Sequence, residues 1–363
     1  MRIGIDAREL CGRPTGVGRY LSGLLHQWSG NRALRHEFVL YSHEPLRLTL
    51  DPQRFSCRVI PGKGGTLWEQ RGLPAAMALD HPDVLFAPAY TAPLLARIPI
   101  VVAIHDASFA AHPEWFTARE GLRRRVLSRR AAAAARAVIT ISEFSRGELV
   151  NLLRVPCGKI HVIPPGVTAV GPPPTTSRPP LPTPASCKVL YVGSIFNRRH
   201  VPDLIEAVGH VARAHAEVSF DLVGDNRSHP YQDIAGLIDR QGVGRRMRWH
   251  HYMEEDALAE LFGSARAFAF LSEYEGLGLT PLEALAAGIP AVLLDSAVAR
   301  ESCGEAALYV PKGDVAATAA ALTTLLFDEA VRRRVLAAAP TTLARFDWTR
   351  AANETLAVLE GAA

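Results

Sequence analysis

The 363-residue sequence contains no apolar run that approaches the roughly 18 residues of a membrane-spanning helix, which excludes an integral membrane protein. Its first residues, MRIGIDAREL, lack the apolar stretch of a secretory signal peptide. The five cysteines are scattered and form no CxxC pair, so neither a disulfide framework nor a zinc site is predicted. We therefore expect a cytoplasmic protein.

Several catalytic and ligand-binding signatures are also missing. The sequence has no Asp-x-Asp metal-binding motif, no Walker loop, no Gly-x-Ser-x-Gly elbow and no His-Glu-x-x-His. No helix-turn-helix, zinc or RNA-binding aromatic signature accompanies the basic residues, so nucleic acid is not predicted as a partner. We expect chemistry that uses neither a bound metal nor a cofactor.

The composition is that of a folded protein with two domains. Hydrophobic residues make up 48% of the chain and charged residues 21%, which excludes disorder. Residues 1–167 contain 22 basic and 13 acidic side chains, whereas the remainder contains 18 and 23. This asymmetry indicates that the first half meets something anionic.

Short apolar runs alternate with helical patterns along most of the chain, which predicts parallel sheets with helices on both faces. Predicted helices include residues 17–28, 119–136 and about 331–360. The predicted strands cover residues 3–5, 38–41, 58–60, 84–86, 100–104, 138–141, 160–163, 189–192, 220–223, 247–249, 267–271 and 291–294.

This rhythm stops at residues 164–184, where nine of 21 residues are proline. Such a stretch cannot continue a helix or a central strand and behaves as a stiff spacer. It predicts an interdomain linker over residues 167–186, with a second domain at 187–345. Two doubly wound domains would place their strand ends on either side of one cleft.

The strongest motif is SEYEGLGLTPLEALAAGIP, which begins at Ser272. A buried strand ends in a glycine loop, and a helix is predicted to start near Thr280 with Pro281 in its first turn. The amides of a helix N-terminus form an anion site. Glu275 and Glu283 would flank it, which suits the sugar and ribose hydroxyls of a nucleotide-sugar. The alternative is a glycine loop with two solvated glutamates.

Three further groups follow predicted strands. Arg198 and Arg199 could neutralise a leaving diphosphate, with a solvated basic turn as the alternative. A neutral His105 could hydrogen-bond a sugar hydroxyl or the acceptor, with a structural role as the alternative. Gly16 and Gly18 lie in a glycine loop that leads into a helix and could contact a ligand, with a plain turn as the alternative.

One Ala-rich helix carries six arginines, and the simplest explanation is a solvated helix face. The alternative is that these arginines contact anionic lipid on the inner face of the cytoplasmic membrane, or lie near a lipid-diphosphate acceptor. The arginines are Arg123, Arg124, Arg125, Arg129, Arg130 and Arg136.

The sequence resembles the retaining glycosyltransferases of family GT4. Glu275 and Glu283 match the family's Glu-x7-Glu motif. The segments that resemble other family motifs are IDAREL with PTGVGRYLSGLL, AIHDASF, ITISEFSRGEL, KIHVIPPGV and YVGSIFNRR. Where the family usually has Arg-Lys-Asn, this chain has Arg198, Arg199 and His200.

The resemblance implies an α/β GT-B fold of two Rossmann-like domains facing a cleft. It implies that residues 187–345 form the nucleotide-sugar donor-binding domain. It also implies a tail that returns, so that residues 1–166 and 346–363 form the acceptor-side domain, with Trp348 as a buried anchor. Glu275 would lie beside the transferred sugar, with His105, Arg198 and Arg199 as further catalytic residues. The donor-binding residues would be Gly16, Gly18, Gly276, Leu277, Gly278, Leu279, Thr280 and Glu283.

The expected activity is a retaining, metal-independent transfer of a hexose from a nucleotide-sugar donor to a glycan or lipid-linked glycan acceptor. GDP-mannose is favoured because the N-terminal motif and Trp68–Pro74 resemble bacterial mannosyltransferases of surface polysaccharide synthesis. The alternatives are a GT-B sugar-nucleotide epimerase, a phosphorylase and an inert nucleotide-sugar-binding module. A phosphorylase would carry a pyridoxal-binding lysine, and none of the four lysines lies in the second-domain motifs.

Overall fold

The computed structural model describes residues 1–12, 16–170 and 187–363. These residues divide into two compact units, Met1–Gly166 with Phe346–Ala363 and Val167–Arg345. Most of the predicted linker, residues 171–186, lies outside the described residues, as do residues 13–15 of the first glycine loop.

The first unit contains a seven-stranded sheet in which all pairs are parallel. The strand order is β3-β2-β1-β4-β5-β6-β7. The strands are β1 (Arg2–Asp6), β2 (Glu37–Ser42), β3 (Phe55–Val59), β4 (Val84–Ala87), β5 (Ile100–Ala103), β6 (Ala137–Thr140) and β7 (Ile160–Val162).

The second unit contains a six-stranded parallel sheet in the order β10-β9-β8-β11-β12-β13. Its strands are β8 (Cys187–Val192), β9 (Val218–Val223), β10 (Met247–His250), β11 (Ala267–Phe270), β12 (Ala291–Leu294) and β13 (Ala307–Val310).

Fourteen α-helices occur among the described residues: α1 (Gly16–Gly30), α2 (Leu73–Asp80), α3 (Ser108–Ala111), α4 (Ala118–Ala134), α5 (Glu143–Leu153), α6 (Val201–Ala214), α7 (Ile234–Arg240), α8 (Glu255–Ser264), α9 (Leu279–Ala286), α10 (Ala297–Cys303), α11 (Val315–Phe327), α12 (Glu329–Ala337), α13 (Ala339–Leu343) and α14 (Trp348–Ala362). A π-helical turn, Trp68–Gly72, leads into α2. Single turns of 3-10 helix occur at Arg8–Leu10, Pro113–Trp115, Cys157–Lys159, Asn197–Arg199 and Gly244–Arg246.

The central strands are short and apolar because helices cover both faces of each sheet. Every residue of β4, β5, β11 and β12 is buried. This arrangement confirms the predicted α/β class with two doubly wound parallel sheets.

The largest differences from the predicted strands occur at sheet edges. β3 begins at Phe55, three residues before the predicted start, and its last four residues are exposed. β13 is absent from the prediction. An edge strand has one solvated side, so its apolar pattern is weaker and its bounds are harder to predict.

The C-terminal helix α14 packs on α1 of the first unit. Trp28 Nε1 donates a hydrogen bond to the carbonyl oxygen of Ala352 at 3.0 Å. Phe346 is buried, but Trp348 is only half-buried, so its description as a buried anchor is wrong. The Trp348 indole lies so close to Gly23 that a Cβ there would come within 2.4 Å of it.

Candidate functional site

The candidate site of the second unit lies where β8 and β11 are neighbours. In the order β10-β9-β8-β11-β12-β13, successive strands of the chain are added outwards from β8 on one side and outwards from β11 on the other. Ligands of doubly wound sheets bind outside the carboxyl ends of the strands at such a switch point. The two predicted site segments, residues 193–199 and 271–280, follow these two strands.

A largely buried ion pair joins the two segments. Arg199 Nε donates to Oε1 of Glu275 at 2.8 Å, and Arg199 Nη1 donates to the carbonyl oxygen of Ser194 at 2.8 Å. Ser272 Oγ donates to the same Glu275 oxygen at 2.9 Å. The guanidinium carbon of Arg199 lies 4.8 Å from the centre of the Phe270 ring. The side chains of Arg199 and Glu275 are therefore held in one geometry.

Both partners of this pair are charged at neutral pH. Burial opposes the charge on Glu275, but the neighbouring Arg199 and Arg198 guanidinium groups hold its pKa below the ordinary value. Burial also opposes the charge on Arg199, but Glu275 and Tyr191 raise its pKa above the ordinary value. Glu275 is thus a carboxylate without a proton to donate, which suits a group that positions or stabilises a sugar.

Two glycines allow the loop after β8 to take this shape. Gly193 has a φ of +150°, and a Cβ there would lie 2.7 Å from Nη1 of Arg199. Gly224, which follows β9, has a φ of +149°, and its Cβ would lie 2.0 Å from the carbonyl oxygen of Gly193. A side chain at either position would displace the loop that carries Arg199.

Arg198 lies beside the ion pair. Its guanidinium carbon is 4.4 Å from the centre of the Phe196 ring, and its carbonyl oxygen accepts a hydrogen bond from the Glu273 amide at 3.0 Å. Glu273 pairs with Lys312 and lies 3.6 Å from His200. His200 has a left-handed φ of +45°, a conformation that asparagine adopts readily, and asparagine is the residue at this place in the family pattern that the sequence resembles.

The glycine loop leads directly into α9. Gly278 has a φ of +86° and caps the helix, which starts at Leu279, one residue before the predicted start. Pro281 lies in the first turn, where the absence of its N–H breaks no helical hydrogen bond. The amides of Leu279 and Thr280 have no partner within the helix, and the helix dipole favours an anion there.

Glu275 and this loop line a small cavity of about 20 Å³. Leu277 and Gly278 also line it, and both Gly276 and Leu277 are buried. Glu283, the fifth residue of α9, is 5% exposed and does not line the cavity. The assignment of Glu275 and Glu283 to opposite ends of one ligand stays a prediction.

The remaining predicted residues belong to the unit that contains Met1–Gly166. Gly16 and Gly18 lie in the first turn of α1, where Gly16 is exposed and Gly18 is buried. Their roles in donor binding stay predictions.

His105 follows β5 and is 7% exposed. Its Nε2 lies 2.9 Å from the carbonyl oxygen of Pro88, and burial lowers its pKa. The imidazole is therefore neutral and donates through Nε2, which leaves Nδ1 as the nitrogen that can accept a hydrogen bond. Its ring meets that of Tyr20 edge-on, with 4.7 Å between the ring centres.

The structure thus brings Arg198, Arg199 and Glu275 together with the loop over residues 276–280. Ser272 and Phe270, which both contact the Arg199–Glu275 pair, were not predicted as site residues. A hydroxyl three residues before Glu275, at the end of an apolar strand, was the available signal for Ser272.

Within residues 1–12, 16–170 and 187–363, no helix is long and apolar enough to span a bilayer. Across the same residues, no group of three or more His, Cys, Asp or Glu side chains is placed to hold a metal ion.

Comparison with known proteins identifies the family. Residues 14–169 match the model for Glycosyltransferase Family 4, and residues 186–328 match the model for Glycosyl transferases group 1. Glycogen synthase of Mycobacterium tuberculosis is 28% identical over 284 residues, which cover 77% of this chain and 65% of that protein. O-antigen chain mannosyltransferase B of Escherichia coli is 24% identical over 270 residues, with coverages of 70% and 68%. The matched region thus spans about two thirds of the length of these relatives.

Solved structures show the same fold. HepE of Anabaena in complex with UDP and glucose has a TM-score of 0.75 at 18% identity, covering 99% of this chain and all of that one. WaaG, a glycosyltransferase involved in lipopolysaccharide biosynthesis, has a TM-score of 0.73 at 16% identity with the same coverages. Structural similarity at this level of sequence identity shows a shared fold, but it does not show a shared substrate. By its family matches and its two parallel sheets, the chain is a member of the family 4, or group 1, glycosyltransferases and has the GT-B fold.

Proposed function

We propose that this protein is a retaining glycosyltransferase that moves a hexose from a nucleotide-sugar donor to a glycan or lipid-linked glycan acceptor. The observation that carries the proposal is the Arg199–Glu275 pair at the switch point of the second sheet, beside the N-terminus of α9. The guanidinium and the amides at the N-terminus of α9 can bind the diphosphate of a sugar nucleotide, and the ionised carboxylate can face its sugar.

The proposed chemistry begins with an exchange of partners. The diphosphate of the donor competes with Glu275 for Arg199, whose planar guanidinium can contact two phosphate oxygens at once. Arg198 adds a second positive charge, and the α9 amides supply further donors. As the glycosidic bond breaks, negative charge grows on the diphosphate, and these preorganised groups stabilise it.

Glu275, once released from Arg199, is proposed to position or stabilise the oxocarbenium-like sugar. An acceptor hydroxyl that attacks on the face from which the diphosphate departs would form the new glycosidic bond with retention of configuration. Its proton would pass to the departing diphosphate oxygen, so no separate nucleophile is needed. A short-lived covalent intermediate on a carboxylate is the alternative. His105 is proposed to accept a hydrogen bond from a sugar or acceptor hydroxyl through Nδ1.

The exposed face of α4 supports peripheral contact with an anionic membrane that holds a lipid-linked acceptor. Leu122 and Val126 are 56% and 39% exposed on this face. Each basic residue near an anionic surface contributes about 1 kcal/mol. The exposed arginines beside the two apolar residues are Arg119, Arg123, Arg129 and Arg130. This location fits a cytoplasmic enzyme of surface polysaccharide synthesis.

GDP-mannose is proposed as the donor, and the similarity to O-antigen chain mannosyltransferase B of Escherichia coli supports mannose. The UDP complex of HepE makes UDP-sugars the main alternative. A thermal-shift screen with GDP-, UDP- and dTDP-sugars distinguishes them, since a ligand at 100 times its Kd adds about 2.7 kcal/mol of stability. Preference for a uridine donor overturns the donor assignment, and binding of no donor overturns the function.

Turnover with the bound donor tests the mechanism. We expect transfer to continue in EDTA and an α-linked donor to yield an α-linked product by NMR. Complete inhibition by EDTA that Mg²⁺ or Mn²⁺ reverses contradicts metal independence, and a β-linked product contradicts retention.

A further inference from the structure

Tyr191, the fifth residue of β8, lies just before the loop that carries Arg199. Its side chain is fully buried, and its ring stacks on that of Phe270 in β11 with 5.6 Å between the ring centres. The guanidinium of Arg199 lies over the same Phe270 ring. Tyr191 therefore belongs to the aromatic layer on which Arg199 rests.

The hydroxyl of Tyr191 and the guanidinium of Arg199 share one acceptor. Tyr191 Oη donates a hydrogen bond to the carbonyl oxygen of Ser194 at 3.2 Å, and Arg199 Nη1 donates to the same oxygen at 2.8 Å. A carbonyl oxygen has two lone pairs, so these two donors use its full capacity. The Ser194 carbonyl is thereby fixed from two sides, and the Nη1 edge of the guanidinium is fixed with it.

The Tyr191 hydroxyl holds this arrangement without adding a charge. Burial raises the pKa of Tyr191 to about 12, although the neighbouring Arg199 opposes this rise. The phenol therefore keeps its proton at neutral pH and stays a donor to the Ser194 carbonyl. Glu275 differs from it, because the carboxylate both holds Arg199 and neutralises it.

The two contacts of Arg199 differ in what the proposed reaction does to them. The exchange of Glu275 for the donor diphosphate breaks the contact at Nε, whereas the contact of Nη1 with the Ser194 carbonyl can remain. A guanidinium that stays fixed at one edge keeps its plane, and a bidentate contact with phosphate oxygens depends on that plane. A lysine here would present one nitrogen and no such edge.

We infer that Tyr191 is a positioning residue of the transfer reaction, which holds Arg199 through the Ser194 carbonyl in the orientation that receives the diphosphate. The inference rests on the proposed function, because Arg199 has a diphosphate to bind only if that function holds. Since the Tyr191 side chain is fully buried, it acts on the substrate only through Arg199.

Calorimetric titration of the full chain with GDP and UDP, together with donor kinetics, tests this role. Tyr191→Phe keeps the ring that stacks on Phe270 and removes only the hydroxyl. We expect the nucleoside diphosphate to bind about fivefold more weakly, as for the loss of one hydrogen bond. We also expect kcat to fall about tenfold and the donor KM to change by about twofold or less, because the charge on the diphosphate grows as the glycosidic bond breaks.

Tyr309→Phe is the matched control. Tyr309 lies in β13, at the edge of the same sheet, and its hydroxyl donates to the carbonyl oxygen of Gly304 at 2.7 Å. This variant also loses a hydrogen bond from a phenol to a carbonyl, but it should bind the nucleotide and turn over the donor as the native chain does. Equal effects of Tyr309→Phe and Tyr191→Phe overturn the inference.

A double-mutant cycle with Arg199→Lys separates positioning from a general structural role. Arg199→Lys keeps the charge but removes the Nη1 edge, so in this background Tyr191→Phe should change nucleotide affinity by about twofold or less. The same fivefold effect in both backgrounds would show that Tyr191 acts independently of Arg199, which overturns the inference.

The native chain separates this inference from the proposed function. Nucleotide binding and turnover by the native chain, with native affinity and kcat in Tyr191→Phe, reject the positioning role alone. Failure of the native chain to bind either nucleotide rejects the proposed function and the inference with it.

Discussion

Arg199 Nε and Glu275 Oε1 lie 2.8 Å apart, so the cation predicted to face a diphosphate is paired with the carboxylate predicted to face the sugar. The pair is largely buried, and each partner keeps the other charged. If the donor phosphates pair with Arg199, Glu275 loses this positive partner. The positive charge of an oxocarbenium-like sugar would then replace it.

Replacement of Glu275 by alanine should lower kcat by about 10²–10³-fold and change the KM for donor much less. A stabilising interaction made mainly in the transition state gives this pattern. Glu273→Ala is the matched control, since Glu273 lies two residues away and pairs with Lys312. Steady-state kinetics of the two variants check the assignment, and a fully active Glu275→Ala would place the catalytic site elsewhere.

Replacement of Glu283 by alanine should weaken donor binding by about tenfold and preserve kcat at saturating donor. Loss of one hydrogen bond between a charged group and a ribose hydroxyl costs about this much affinity. Calorimetric titration with the donor measures it, and circular dichroism confirms folding. Native affinity in the folded variant would mean that this buried glutamate is structural.

The stability of the first unit should fall as the pH rises through about 6. Burial raises the pKa of Asp6 to about 6, although Arg8 opposes this rise. A carboxyl whose pKa is raised by folding contributes its full stability below the unfolded value near 4 and loses it as it ionises. We therefore compare the unfolding temperatures of the native chain and of Asp6→Asn at each pH. The native value minus the variant value should be smaller at pH 8 than at pH 5. A difference independent of pH would show that Asp6 titrates normally.

Gly23→Ala should destabilise the first unit, whereas Gly30→Ala on the same helix should not. A Cβ at Gly23 would come within 2.4 Å of the Trp348 indole, but a Cβ at Gly30 meets no atom of the described residues within 4 Å. Overpacking of this kind costs about 1–3 kcal/mol. Thermal unfolding compares the two variants, and Gly23→Ala should cost less stability in a Trp348→Ala background, where no indole meets the new Cβ. Equal stability of both alanine variants would show that the indole moves aside.

The sequence predicted most of the fold because central parallel strands are continuous apolar runs. It also predicted which segments follow the strands at the switch point, since the carboxyl ends of parallel strands share one edge. It did not predict the partner of Arg199, because a pairing between residues 76 positions apart depends on the tertiary structure. The ion pair between Arg8 and Glu69, which are 61 positions apart, was missed for the same reason. In the sequence Glu69 is an ordinary polar residue of the stretch Trp68–Pro74.

The return of α14 to the first unit has a consequence for synthesis on the ribosome. The segment Val167–Arg345 is translated between the body of the first unit and its last helix. At about 5–20 residues per second, the first unit waits for α14 on the order of ten seconds or more. During that time the Trp28 side chain lacks the carbonyl of Ala352, and the surface of α1 that α14 will cover is open to the solvent and to chaperones.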